Sequence, residues 1–152
     1  MLRDQLTQFM KTAMKAKDQI GLATVRLIQA ALKDRDIAAR SQGNMDGITD
    51  DDILSLLQSM IKQRRDSIEM YEKGGRPELA ARETLEIAVI EAFLPEQMDD
   101  DAVGEAVAMV MKELDAASMK DMGRVMATLK ERHAGSMDFG KASGVVKARL
   151  SQ

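Results

Sequence analysis

The sequence predicts an all-α fold in two parts, an N-terminal helical domain over residues 1–98 and a C-terminal three-helix domain over residues 99–152. Apolar residues recur at helical spacing through nearly the whole chain, and no segment alternates with period two for long enough to read as a strand. Only two prolines occur, Pro77 and Pro95, while Ala, Leu, Met, Glu, Lys and Gln, all strong helix formers, are abundant. Pro95 and the acidic run Asp99–Asp101 fall together, so one helical array ends where another begins.

Each element has a local cause. Leu6, Phe9, Met10, Ala13 and Met14 share one face of a first helix over about 2–16. Lys17-Asp18 marks a bend. A second helix over about 18–40 turns Leu22, Val25, Ile28, Ala31 and Leu32 inward and carries Arg26, Lys33, Arg35 and Arg40 outside. Residues 41–48 are a loop, rich in Gly, Asn and Ser. Thr49 and Asp52 form a capping box, and Asp50 and Asp51 suit the positive helix end. The third helix stops at Gly74-Gly75, and Pro77 sits where a first-turn proline is tolerated. A fourth helix over about 77–93 runs into the Pro95 stop, with 94–98 as a hinge. Asp99–Asp101 open the fifth helix, Ser118 and Asp121 form a second capping box for the sixth, and Asp138 caps the last.

Composition bounds the function. Aromatic residues make up 3% and Trp is absent, so the core is built from Leu, Ile, Val, Ala and Met, and the 13 Met fill its irregular gaps. The absence of Cys excludes disulfides, thiolate metal sites and Cys nucleophiles. With no signal-peptide core at the N-terminus, it favours a cytoplasmic location. A net charge of −3 and a pI near 5.3 oppose strong non-specific nucleic-acid binding. The average hides a polarity. Residues 99–118 hold one cation against six anions, a net of −5, whereas residues 119–152 hold seven cations against three anions, a net of +4.

Those seven cations, Lys120, Arg124, Lys130, Arg132, Lys141, Lys147 and Arg149, are the candidate RNA-binding residues. They would neutralise phosphates, or else they form a solvated helix face. Gly123, Gly140 and Gly144 sit inside helices, where each costs about 1 kcal/mol relative to Ala. Either an RNA backbone or a neighbouring helix approaches closely there. His133, the only histidine, falls at a helix end, where its cation suits the dipole. Three motif echoes are set aside. The loop from Gln42 to Gly47 resembles part of a calcium loop but lacks its bidentate Glu. Ser59-Met-Ile-Lys62 lies mid-helix without companion motifs. Glu83 and Glu86 read as a surface helix edge rather than as an acid–base pair. No residue is assigned a catalytic, cofactor-binding or metal-binding role.

Read together, several segments resemble the YqeY-like family, part of the GatB/YqeY group. They are Met14–Asp18, Arg26–Leu32, Lys62–Ile68, Tyr71–Gly74, Leu79–Glu83, Leu94–Gln97, Ser118–Met126, and Gly140-Lys141 with Val145–Lys147 and Leu150. The resemblance implies an all-helical, two-part fold. It also implies kinship with the tail domain of the B subunit of glutamine-dependent tRNA amidotransferases, a module that contacts tRNA without carrying the amidation chemistry. In one departure, Ser136 follows Gly135 where many relatives have a basic residue. The expectation is an accessory protein without stand-alone catalysis, whose C-terminal module binds tRNA or an amidotransferase complex. The alternatives are carbon–nitrogen ligation with glutamine as amide donor, which the family association suggests, and a protein–protein adaptor. The missing aromatics make base stacking on single strands a poor mode, so RNA contact would read backbone and folded shape.

Overall fold

The computed structural model describes all 152 residues, Met1–Gln152, as seven α-helices and one 3₁₀ turn. The helices are α1 (Leu2–Ala16), α2 (Gln19–Ser41), α3 (Asp50–Lys73), α4 (Pro77–Glu91), α5 (Asp100–Glu113), α6 (Met122–His133) and α7 (Phe139–Leu150). The chain is all-α and divides into two compact units, Met1–Pro95 and Glu96–Gln152.

The caps read from sequence form as local hydrogen bonds. Thr49 Oγ1 accepts the Asp52 amide at 3.2 Å, and the Asp52 carboxylate accepts the Thr49 amide at 3.4 Å. Asp99 accepts the Ala102 amide, and Asp138 accepts those of Gly140 and Lys141. Asp18 does the same for α2 through the Gly21 amide at 2.9 Å, so the bend at Lys17-Asp18 ends one helix and caps the next. The Ser118–Asp121 capping box forms as well, but it opens a short turn ahead of the sixth helix. Ser118 is followed by a 3₁₀ turn, Met119–Asp121, and regular α-helix starts only at Met122. The Asp121 carboxylate folds back onto the Ala117 and Ser118 amides, which tightens the first turn.

In the first unit, α1 packs on α2, and α3 lies along α4. Val25, Ile28, Ile53, Leu57 and Ile90 are fully buried between them, joined by Leu2, Leu6 and Met60. Phe9 and Phe93 meet edge to face, 5.3 Å between centroids. Glu86 corrects the surface-edge reading. It is buried between α3 and α4, with its carboxylate 3.1 Å from Arg64 and 3.4 Å from Arg82. Packing of α4 on α3 turns this position inward, and the two guanidinium groups make its charge tolerable there.

The 41–48 loop is held at one point. Arg3 forms a two-pronged bond to Asp36, at 2.8 and 2.9 Å, and donates to the Ile48 carbonyl. Asp36 also accepts the Ile48 amide. Gly47 makes this possible. Its φ is +87°, and a Cβ there would lie 2.8 Å from both the Arg3 guanidinium and the Asp36 carboxylate. Hydrogen bonding from Arg3 pulls the Asp36 pKa from 3.8 down to about 2. A depressed folded-state pKa means the pair stabilises fully above about pH 4, and the stabilisation is lost as pH falls toward 2. Arg3 is 39% exposed, so screening holds the contribution to about 1 kcal/mol. Asp36→Asn is expected to lower the urea midpoint at pH 6. Its midpoint should then fall less than the parent's when pH is lowered to 2.

In the second unit, α5, α6 and α7 close a small core of Val103, Val107, Val110, Val125, Leu129, Met137, Ala142 and Val146. Helix α5 ends on Asp115, a left-handed residue at φ 51°, with the Asp115 amide on the Lys112 carbonyl and the Ala116 amide on that of Met111. This is the Schellman arrangement, and Asp tolerates the conformation better than most residues. Gln97 and Met98 attach to this unit. Gln97 Nε2 donates to the Gly135 carbonyl at 2.7 Å, and the Met98 amide donates to the Ser136 carbonyl at 2.8 Å.

Candidate nucleic-acid interface

The basic residues of the second unit fall into two groups. Three hold the domain together. Arg124 donates to Asp121 and, at 2.8 Å, to the Leu114 carbonyl at the end of α5. Arg132 on α6 reaches Glu113 on α5 at 2.6 Å, and Lys141 on α7 reaches Asp100 at 3.2 Å. Asp121 lies below the usual carboxylate range, first because the Ala117 and Ser118 amides donate to it and then because of Arg124. The Arg132 hydrogen bond lowers Glu113 in the same way and is itself reflected in a raised Arg132. Each of these cations already has an anion, so a phosphate would have to compete for it.

Lys120, Lys130, Lys147 and Arg149 form the other group. All four are exposed and none forms an ion pair in the structure. Gly123, Ala127 and Lys130 follow one exposed line along α6 at spacings of four and three, and Lys120 precedes them in the 3₁₀ turn. The end of α7 meets that turn, because Ser151 Oγ lies 3.8 Å from Met119 Sδ and donates to the Lys147 carbonyl at 2.7 Å. The C-terminal end of α7, whose last turn carries Lys147 and Arg149, thus lies against the 3₁₀ turn that carries Lys120.

The glycines decide between the two readings of close approach. A Cβ on Gly123 or Gly144 would meet nothing within 4 Å. Close helix packing is therefore corrected at both positions, since they face outward while Val125, Leu129 and Val146 face the core. At Gly140 a Cβ would come 3.2 Å from the capping Asp138 carboxylate, a local contact within one turn. His133 closes α6, and its carbonyl accepts the Ser136 and Met137 amides and the Ser136 hydroxyl. Ser136, where the family resemblance suggests a cation, thus finishes the helix instead.

Sequence reasoning missed Gln97, whose amide ties the segment before α5 to the α6–α7 junction 38 residues away. The only trace was its place in Leu94-Pro-Glu-Gln97.

The family model for "Yqey-like protein" matches residues 3–150. The chain belongs to the YqeY-like family. Among curated proteins it is similar to several fungal proteins named "Altered inheritance of mitochondria protein 41, mitochondrial". The Eremothecium gossypii protein is 37% identical over 89 residues, which is 59% of this chain and 46% of that protein. The Pyrenophora tritici-repentis protein is 28% identical over 132 residues, 84% of this chain and 70% of the relative. That of Clavispora lusitaniae is 27% identical over 145 residues, 93% and 80%. The chain thus spans about half the length of the Eremothecium relative it matches. These names overturn the cytoplasmic expectation, because the relatives of this YqeY-like chain are named as mitochondrial. The physical reason is plain: a lack of Cys constrains chemistry, not address. No helix is long and apolar enough to cross a membrane.

Proposed function

We propose that this YqeY-like protein is a non-catalytic RNA-binding accessory factor. Its C-terminal unit holds the phosphate backbone of a folded, tRNA-like RNA. One observation supports this reading above the others: exposed lysines without anionic partners flank an α6 face on which Gly123 and Ala127 leave the helix backbone nearly bare. Lysine supplies charge to phosphate, and a missing side chain lets the sugar–phosphate chain come close to the helix. With Phe139 the only aromatic in the unit, contact is with shape and backbone rather than stacked bases. A link to amidotransferases rests on the family resemblance alone.

The test is tRNA binding measured across a salt series. Replacing Lys120, Lys130 and Lys147 together with Gln is expected to weaken binding and to flatten the log–log salt slope by roughly two to three units. Replacing Arg132 and Lys141 should act mainly on stability. Gly123→Ala separates contact from folding. It should raise stability by up to about 1 kcal/mol, since the site is open and helical, while weakening RNA binding. Unchanged tRNA affinity in the triple variant, or no tRNA binding by the parent at low salt, would reject the reading.

A further inference from the structure

Helix α2 presents a second surface that the RNA reading does not use. Its buried side carries Val25, Ile28 and Leu32. On the opposite side the residues repeat by sevens. Ala23, Ala30 and Ile37 occupy one position of the repeat, and Leu27, Asp34 and Ser41 the position four residues on. In heptad letters these are the d and a positions of a coiled-coil seam, and the core residues Val25 and Leu32 fall at f, directly opposite. Leu27 and Ile37 are large apolar side chains left 48% and 50% exposed. The g positions, flanking the seam on one side, are Arg26, Lys33 and Arg40. All three are exposed cations, and none forms an ion pair. Asp36, which lines the adjoining groove, is held in a two-pronged pair by Arg3 and feels Arg40 only at longer range. That groove, of about 390 Å³, runs between α1 and α2 and is lined by Leu6, Leu32, Lys33, Ile37 and Arg40.

We propose that this face of α2 is a docking seam for an acidic amphipathic helix of another protein. The charge pattern selects the occupant. A row of cations at g is met, in a two-helix seam, by the e or g row of the partner, and an acidic row there makes interhelical ion pairs. A second copy of α2 fits poorly. Antiparallel pairing would set Arg26, Lys33 and Arg40 against the same residues of the other copy, and parallel pairing would set them against the row of Thr24, Ala31 and Ala38, in which Thr24 is buried, Ala31 packs on the core and none offers a charge. The apolar knobs favour a helix over a phosphate backbone, which has nothing to bury against Leu27 and Ile37. The small Ala23 and Ala30 admit close approach, and Asp34, a polar residue at one a position, would fix the register.

The probe is a synthetic helical peptide of about three heptads, with Leu at a and d and Glu at e and g, matched to the length of α2. It is titrated against the full chain below the concentration at which the peptide self-associates, beside the same peptide with Lys replacing Glu. Saturable binding of the Glu peptide and not the Lys peptide is expected. The triple variant Arg26→Glu, Lys33→Glu, Arg40→Glu should reverse that preference. Ile37→Asp should weaken binding of the preferred peptide by about tenfold or more, with helical circular dichroism unchanged because the position is exposed. No binding of the Glu peptide would overturn the proposal, as would equal binding of both peptides or indifference to Ile37→Asp. So would binding of tRNA or phosphatidylglycerol vesicles that the triple variant loses while neither peptide binds, since the surface would then serve phosphate groups.

Discussion

Glu86→Ala is expected to cost about 3 kcal/mol of folding stability, the largest single effect in the N-terminal unit. Both partners are shielded, with the Arg64 and Glu86 side chains 12% and 11% exposed. Arg64 also donates to the Met60 carbonyl, one turn earlier on its own helix, which pins the guanidinium between α3 and α4. Removing the carboxylate leaves a cation that cannot reach water without disturbing the packing around it. Glu83 is a poor substitute at 3.9 Å. Arg82 would lose only a screened contact, since its side chain is 51% exposed. Urea denaturation of Glu86→Ala should show the drop, and Arg64→Met with Glu86→Leu should recover most of it, because an apolar pair leaves no stranded charge. A midpoint near that of the parent for the single variant would mean that the pair contributes nothing.

Gly135→Val should be comparably damaging to the C-terminal unit, at about 3 kcal/mol. Left-handed backbone costs a non-glycine residue about 1–2 kcal/mol, and overpacking a buried site adds about 1–3. Gly135 is buried at φ 81°, and its carbonyl receives Gln97. It turns the chain between α6 and α7, so a shift there moves both helices. The variant should lose signal dispersion for residues of the second unit in a two-dimensional amide spectrum and, on the proposed function, lose tRNA affinity with it. Gln97→Ala is the milder companion. It removes one half-buried hydrogen bond, whose acceptor can then turn to water, and should cost about 1 kcal/mol. An intact spectrum for Gly135→Val would show that the turn tolerates another geometry.

The candidate site illustrates how far one-dimensional reasoning reaches. That residues 119–152 carry excess positive charge follows from counting. Which of those charges are available does not, because Arg132 finds Glu113 19 residues back and Lys141 finds Asp100 41 residues back. Gly123 is similar. Its presence in a helix signals that something unusual is tolerated, yet whether a neighbour fills the space depends on which way α6 rolls against α5 and α7. The structure leaves that space empty.

What the sequence determined by itself is local. The helical stripes, the caps at Thr49, Asp99, Ser118 and Asp138, the bend at Lys17-Asp18 and the breaks at Gly74-Gly75 and Pro95 each involve residues within about one helical turn, and turn-scale hydrogen bonds are settled by neighbours in the chain. Membership of the YqeY-like family was legible for a related reason, since it rests on the order and spacing of such segments. Only tertiary structure decided the long-range outcomes. It buried Glu86 against Arg64, knotted Arg3 and Asp36 to the 41–48 loop, joined Gln97 to Gly135, and divided the C-terminal cations into paired and free. Each of these depends on the angle and offset at which two helices pack, a quantity set by the whole apolar surface rather than by any one residue.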